Sequence, residues 1–112
     1  MNEIYKGHGW SRTQVGRCEN GNIILGTGWS SSTIGEYQNN CIYKGTGWSR
    51  EQVGEFENGI IYRGRGWSRE QIGEYQDGRI YNGRGWSREI VGEYDSEPAC
   101  AAAALLILFD SV

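Results

Sequence analysis

The chain has 112 residues with 18 glycines and one proline, so glycine stands at about 16% against a usual level near 7%; neither collagen nor a proline-rich linker fits. This length holds a single domain, residues 1–112. A net charge of −3, from 11 Lys/Arg and 14 Asp/Glu, gives no basic field of the kind that draws nucleic acid or an anionic membrane, and neither partner is expected.

Tryptophan recurs at positions 10, 29, 48, 67 and 86, an unbroken spacing of 19 that divides the chain into five copies: 4–22, 23–41, 42–60, 61–79 and 80–98. Each copy has a Gly-x-Gly-Trp-Ser centre followed by Val or Ile, a glycine, usually a glutamate, and an aromatic, with Cys18 in the aromatic place in copy one. Copy two departs most, with Ile24 for tyrosine and Ser31-Ser32 where copies three to five have Arg-Glu.

Within copy four, Ile61–Gly66 and Gln71–Tyr75 have strand length and are bounded by turn residues, while the glycine density excludes helix. Asn20-Gly21, Asn58-Gly59 and Asp77-Gly78, and more weakly Asn39-Asn40, suit type I′ hairpin turns between copies. Trp-Ser-Arg-Glu reads as a second short turn inside each copy. The outcome is a meander of ten strands. Strict alternation puts Tyr62, Gly64 and Gly66 on one face with Gln71, Gly73 and Tyr75, and Ile61, Arg63, Arg65 and Trp67 on the other with Ile72 and Glu74. Buried unpaired charges are costly, so the tyrosine–glycine face is expected to turn inward unless a bulge resets the alternation. Arg63 and Glu74, with Arg65 nearby, are expected to form cross-strand pairs on the outside.

After copy five, Asp95-Ser96-Glu97-Pro98 leads into the wholly apolar run Ala99–Phe109. Ser96 as N-cap, Pro98 in the first turn, and acids at the dipole's positive end predict a helix over 97–110. The run of 11 apolar residues spans roughly 16 Å, short of the ~30 Å hydrocarbon core, so no membrane span is expected. A helix apolar all round is buried in protein. Ten strands close into a barrel too wide for side chains alone to fill, and the helix supplies the plug. The other reading of this tail offers it to a partner protein or a membrane. The predicted fold is therefore all-β: a closed pseudo-five-fold ring of five 19-residue β-hairpins with a short apolar C-terminal helix as central plug. Its rival is an open stack of repeats.

The Tyr/Ile-x-Gly repeats, the Val-Gly-Glu step, the Asn-Gly turns and the Ala-Leu tail resemble the bacterial five-fold β-flower proteins, over nearly the whole chain. The resemblance implies five hairpin petals about a pseudo-five-fold axis and brings no catalytic residues with it. A weaker likeness is to choline-binding cell-wall repeats, whose further Trp-Tyr-Tyr cluster is absent here.

Chemistry-bearing residues are few. His8 is the sole histidine and stands where other copies have Thr27, Thr46, Arg65 and Arg84, which reads as a rim side chain rather than a general base. Cys18 and Cys41 read as hydrophobic substitutions rather than metal ligands. No enzymatic activity, cofactor or metal is expected. Cys18, Cys41 and Cys100 cannot all pair and residues 1–5 carry no basic-then-apolar leader, so a cytoplasmic setting is expected.

The Trp-Ser-Arg-Glu turns have two readings. In one, a flat aromatic beside a guanidinium and a carboxylate forms a shallow sugar site at Trp10, Trp48, Trp67 and Trp86 with Arg12, Arg50, Arg69 and Arg88, and repetition supplies avidity. In the other, each tryptophan wedges between petals and the arginines are solvated; the glycine before each tryptophan, which removes bulk where petals close up, favours the wedge. The function expected is a small non-enzymatic structural or interaction module with a protein partner, the alternative a multivalent carbohydrate- or cell-wall-binding module.

Overall fold

The computed structural model describes residues 2–109. Ten antiparallel strands follow in chain order: β1 (Glu3–Lys6), β2 (Thr13–Glu19), β3 (Asn22–Leu25), β4 (Ser32–Gln38), β5 (Cys41–Lys44), β6 (Glu51–Glu57), β7 (Ile60–Arg63), β8 (Glu70–Gln76), β9 (Arg79–Asn82) and β10 (Glu89–Tyr94). β1 pairs with β10 as well as β2, closing the sheet into a barrel. Ile4 lies opposite Tyr94 and Tyr5 opposite Glu93, so the repeats form a ring and not an open stack.

Asn20-Gly21, Asn39-Asn40, Asn58-Gly59 and Asp77-Gly78 all have positive φ at both residues, as type I′ turns require. The other link, inside each petal, is a single 3-10 turn of Gly-Trp-Ser. Because strand direction alternates, all five tryptophan turns gather at one end of the barrel, the mouth, and all Asn-Gly-type turns at the other, the base.

The expected facing is half right. Gly73 and Tyr75 turn inward, but Ile61 is fully buried and Tyr62 looks out. A bulge is the cause: Ile61 pairs with Gly73 and Tyr62 with Gln71, leaving Ile72 as the extra residue that resets the alternation. The same shift occurs in every petal, at Val15, Ile34, Val53 and Val91. It lets the Val or Ile and the following glycine both serve the interior. It also separates Arg63 from Glu74; Arg63 sits opposite Glu70, and Glu74 pairs elsewhere.

Three layers of side chains line the barrel. Cys18, Tyr37, Phe56, Tyr75 and Tyr94 ring the base, with Phe56–Tyr75 and Tyr75–Tyr94 meeting edge to face at 6.3 and 6.2 Å. Ile4, Ile23, Ile42, Ile61 and Ile80, all fully buried, form the middle belt, and the bulge residues the upper one.

The tail fills the centre. Helix α1 (Pro98–Ala103) continues into a π-helical turn (Ala104–Leu108), so the apolar rod lies inside the expected span 97–110, whose final residue falls outside the described ones. The N-cap is Glu97 and not Ser96: the Glu97 carboxylate accepts the Ala99 N–H at 3.3 Å, while the Ser96 hydroxyl turns to Asn2 Oδ1. Alanines 99 and 101–104 are entirely buried inside the isoleucine belt. At the mouth, five consecutive residues each meet the inward glycine of a different petal: Leu105 faces Gly73, Leu106 Gly54, Ile107 Gly35, Leu108 Gly16 and Phe109 Gly92. A Cβ on Gly73 would collide with both Leu105 and the Tyr81 carbonyl. Among the described residues, no helix is long and apolar enough to cross a membrane.

Candidate functional site at the tryptophan turns

Petal four shows the unit. In Gly66-Trp67-Ser68, the Ser68 hydroxyl donates to the Arg65 carbonyl at 3.2 Å. Glu55, from the preceding petal, reaches across: Oε2 accepts the Gly66 N–H at 3.4 Å and Oε1 accepts Arg69 Nη1 at 2.6 Å. The guanidinium lies 3.8 Å over the Tyr62 ring, a cation–π contact. Tyr62 is placed for this by register, opposite Glu55 on β6 and Gln71 on β8. The network therefore ties neighbouring petals together and fixes the turn that carries the indole.

Three more copies repeat it. Arg50 bonds Glu36 at 2.7 Å over Tyr43, Arg88 bonds Glu74 over Tyr81, and Arg12 bonds Glu93 at 2.6 Å over Tyr5, the last across the ring closure. Each glutamate also accepts the N–H of the glycine that begins the turn: Gly47, Gly85 and Gly9. The Arg50 hydrogen bond, helped by the Gly47 N–H, holds the Glu36 carboxyl below the usual carboxylate range, and Arg88 does the same to Glu74. At Glu55 and Glu93 partial burial opposes ionisation, and the guanidinium and backbone N–H together outweigh it.

All five indoles are fully exposed. This overturns the wedge expectation: Trp67 touches no neighbouring petal, and the arginines expected to be solvated are the ones folded onto tyrosine rings. The glycine before each tryptophan has a different purpose as well. Gly66 has φ +60°, and a Cβ there would meet nothing within 4 Å, so the turn's backbone requires glycine and petal packing does not. Shallow clefts adjoin the indoles, one of about 470 Å³ lined by Tyr62, Gly66, Trp67 and Arg69, another of about 430 Å³ by Glu74, Gly85, Trp86 and Arg88.

Of the residues singled out from the sequence, Trp67 with Arg69 and Trp86 with Arg88 line common clefts, while Trp10 with Arg12 and Trp48 with Arg50 occupy the equivalent turns, each arginine lying on a tyrosine ring. Sequence reasoning missed the tyrosines and the glutamates. The signal available was the absence of the whole set at one junction: where petals one and two meet, Arg17 replaces the glutamate, Ile24 the tyrosine and Ser31 the arginine. There Ser31 Oγ donates to the Gly28 carbonyl at 3.0 Å and holds the turn locally, and Arg17 pairs with Glu19 of its own strand.

Elsewhere, His8 is an exposed rim residue whose carbonyl accepts from Ser11. Cys18 is buried; desolvation and the adjacent Cys100 thiol push its pKa up, which makes it a core residue and not a nucleophile. Among the described residues no group of His, Cys, Asp and Glu is placed to hold a metal. Comparison with protein-family models, with curated proteins and with solved structures finds no match to this chain.

Proposed function

We propose that this chain is a non-enzymatic, multivalent carbohydrate-binding module of the β-flower kind. The observation that carries the reading is the set of five fully exposed indoles, each on a turn pinned by hydrogen bonds and repeated around one end of a closed ring. Large apolar side chains held rigidly in water mark an interaction surface. A bare indole face suits the C–H face of a sugar ring, and the flanking Arg, Glu and Ser groups offer donors and acceptors for its hydroxyls. Weak single sites on a rigid ring gain from avidity. The closed five-petal barrel and its plug support the kinship with β-flower proteins, and three free thiols are in keeping with a reducing, cytoplasmic setting.

A glycan array followed by tryptophan-fluorescence titration tests the reading. A hit should shift the indole emission, and Trp48→Ala and Trp67→Ala should each weaken binding by about tenfold or more while leaving folding intact. A blank array with unchanged emission overturns it and leaves a protein partner for the crown.

A further inference from the structure

Beside the tryptophan turns the petals differ in charge at the residue two before each indole: His8, Thr27, Thr46, Arg65 and Arg84. Arg65 and Arg84 are exposed and make no ion pair with any described residue. Arg65 lines a groove of about 600 Å³ between petals three and four, together with Tyr43, Arg50, Glu51 and Ser68. The charges in that groove do not cancel. Arg50 is matched by Glu36, and Glu51 stands in register opposite Lys44, so Arg65 is in excess. One repeat further on, Arg69 is matched by Glu55, Glu70 stands opposite Arg63, and Arg84 is the surplus. In petals two and three the equivalent Thr27 and Thr46 bring no charge. A protein of net charge −3 therefore presents a cationic sector on both sides of Trp67.

Resting on the carbohydrate reading, we infer that the ligand is an acidic glycan, bearing uronate, sulfate or phosphate groups, that runs from the groove at Arg65 past Trp67 to the next turn, with its anionic groups on Arg65 and Arg84. The indoles of Trp48, Trp67 and Trp86 take the sugar faces. Stacking is indifferent to ligand charge, so the acidic preference resides in the two surplus guanidiniums, while the network arginines already hold glutamates.

The test compares oligogalacturonate, a sulfated oligosaccharide and a neutral cello-oligosaccharide of equal length by calorimetry on the full chain. The acidic ligands should bind at least about tenfold tighter, with an advantage that shrinks as salt is raised from about 50 to about 200 mM. The double variant Arg65→Gln/Arg84→Gln should lose that advantage and keep neutral binding, and Arg79→Gln, at the base, should change nothing. Equal or tighter neutral binding overturns the acidic preference and leaves the carbohydrate reading intact. No binding to any glycan overturns both. Binding to phosphatidylglycerol vesicles or single-stranded DNA without glycan binding assigns the cationic sector to another polyanion and overturns the inference.

Discussion

The inside of the barrel and its rim use the same repeat in opposite ways. Inside, five nearly identical petals meet an asymmetric rod: five glycines in equivalent places each face a different residue of the tail. At the rim, equivalent residues meet equivalent residues, and the pattern fails only where Arg17, Ile24 and Ser31 replace a complete set. The interior consumes the apolar belt and the bulge residues. The rim leaves the largest hydrophobe of each petal in water and orders it by polar contacts. Repetition of a large aromatic therefore does not imply burial, and the two regions should respond separately to mutation.

Removing residues 99–112 should have the largest effect. It leaves ten strands around an empty centre, and cooperative thermal unfolding followed by circular dichroism should vanish, whereas a truncated chain that melts as the full one does would strip the tail of its core role. Two glycine substitutions sharpen the contrast next. Gly73→Ala drives a methyl into Leu105 and the Tyr81 carbonyl and should cost about 3 kcal/mol or more, while Gly66→Ala meets open space and should cost only the left-handed backbone strain, about 1–2 kcal/mol. Denaturant midpoints decide the order.

Acid should loosen the rim before the core. Glu36, Glu55, Glu74 and Glu93 have folded pKa values below the unfolded ones, so their contribution is present above the unfolded value, about 4.3, and is lost as pH falls through the folded values. Indole N–H resonances of Trp10, Trp48, Trp67 and Trp86 should shift together below about pH 4, with Trp29, whose turn has no carboxylate, lagging behind. The smallest effect on stability belongs to the largest side chain: Trp67→Ala should change unfolding by no more than about 0.5 kcal/mol. A loss of the 3 to 5 kcal/mol typical of a buried aromatic would restore the wedge.

The ring, the ten strands, the type I′ turns and the plug were legible because they rest on period, turn chemistry and an unbroken apolar run. The facing was not. Alternation predicts Tyr62 inward, and a single bulged residue, Ile72, reverses it for the first strand of the petal. The Arg–Glu partners were hidden for a related reason: Arg69 meets Glu55, 14 positions back in the preceding petal, a pairing that exists only once β6, β7 and β8 have paired in this bulged register. Exposure of the tryptophans follows from both, since the arginine that could have covered the indole is folded onto Tyr62 instead. Glu97 displaced Ser96 as cap because the apolar run enters the barrel one residue later than the serine would set it.

The π-helical turn at the mouth carries a numerical consequence. Leu105, Leu106, Ile107, Leu108 and Phe109 take petals four, three, two, one and five in succession, an advance of about 72° per residue, where an α-helix of 3.6 residues per turn advances about 100°. The wider winding, closed by the Phe109 N–H on the Ala104 carbonyl, matches the pitch of the rod to the symmetry of its sheath. A sixth hairpin would find no knob for its glycine, and a four-hairpin ring would leave one knob without a socket. Gene duplication can add hairpins indefinitely, but this tail counts to five.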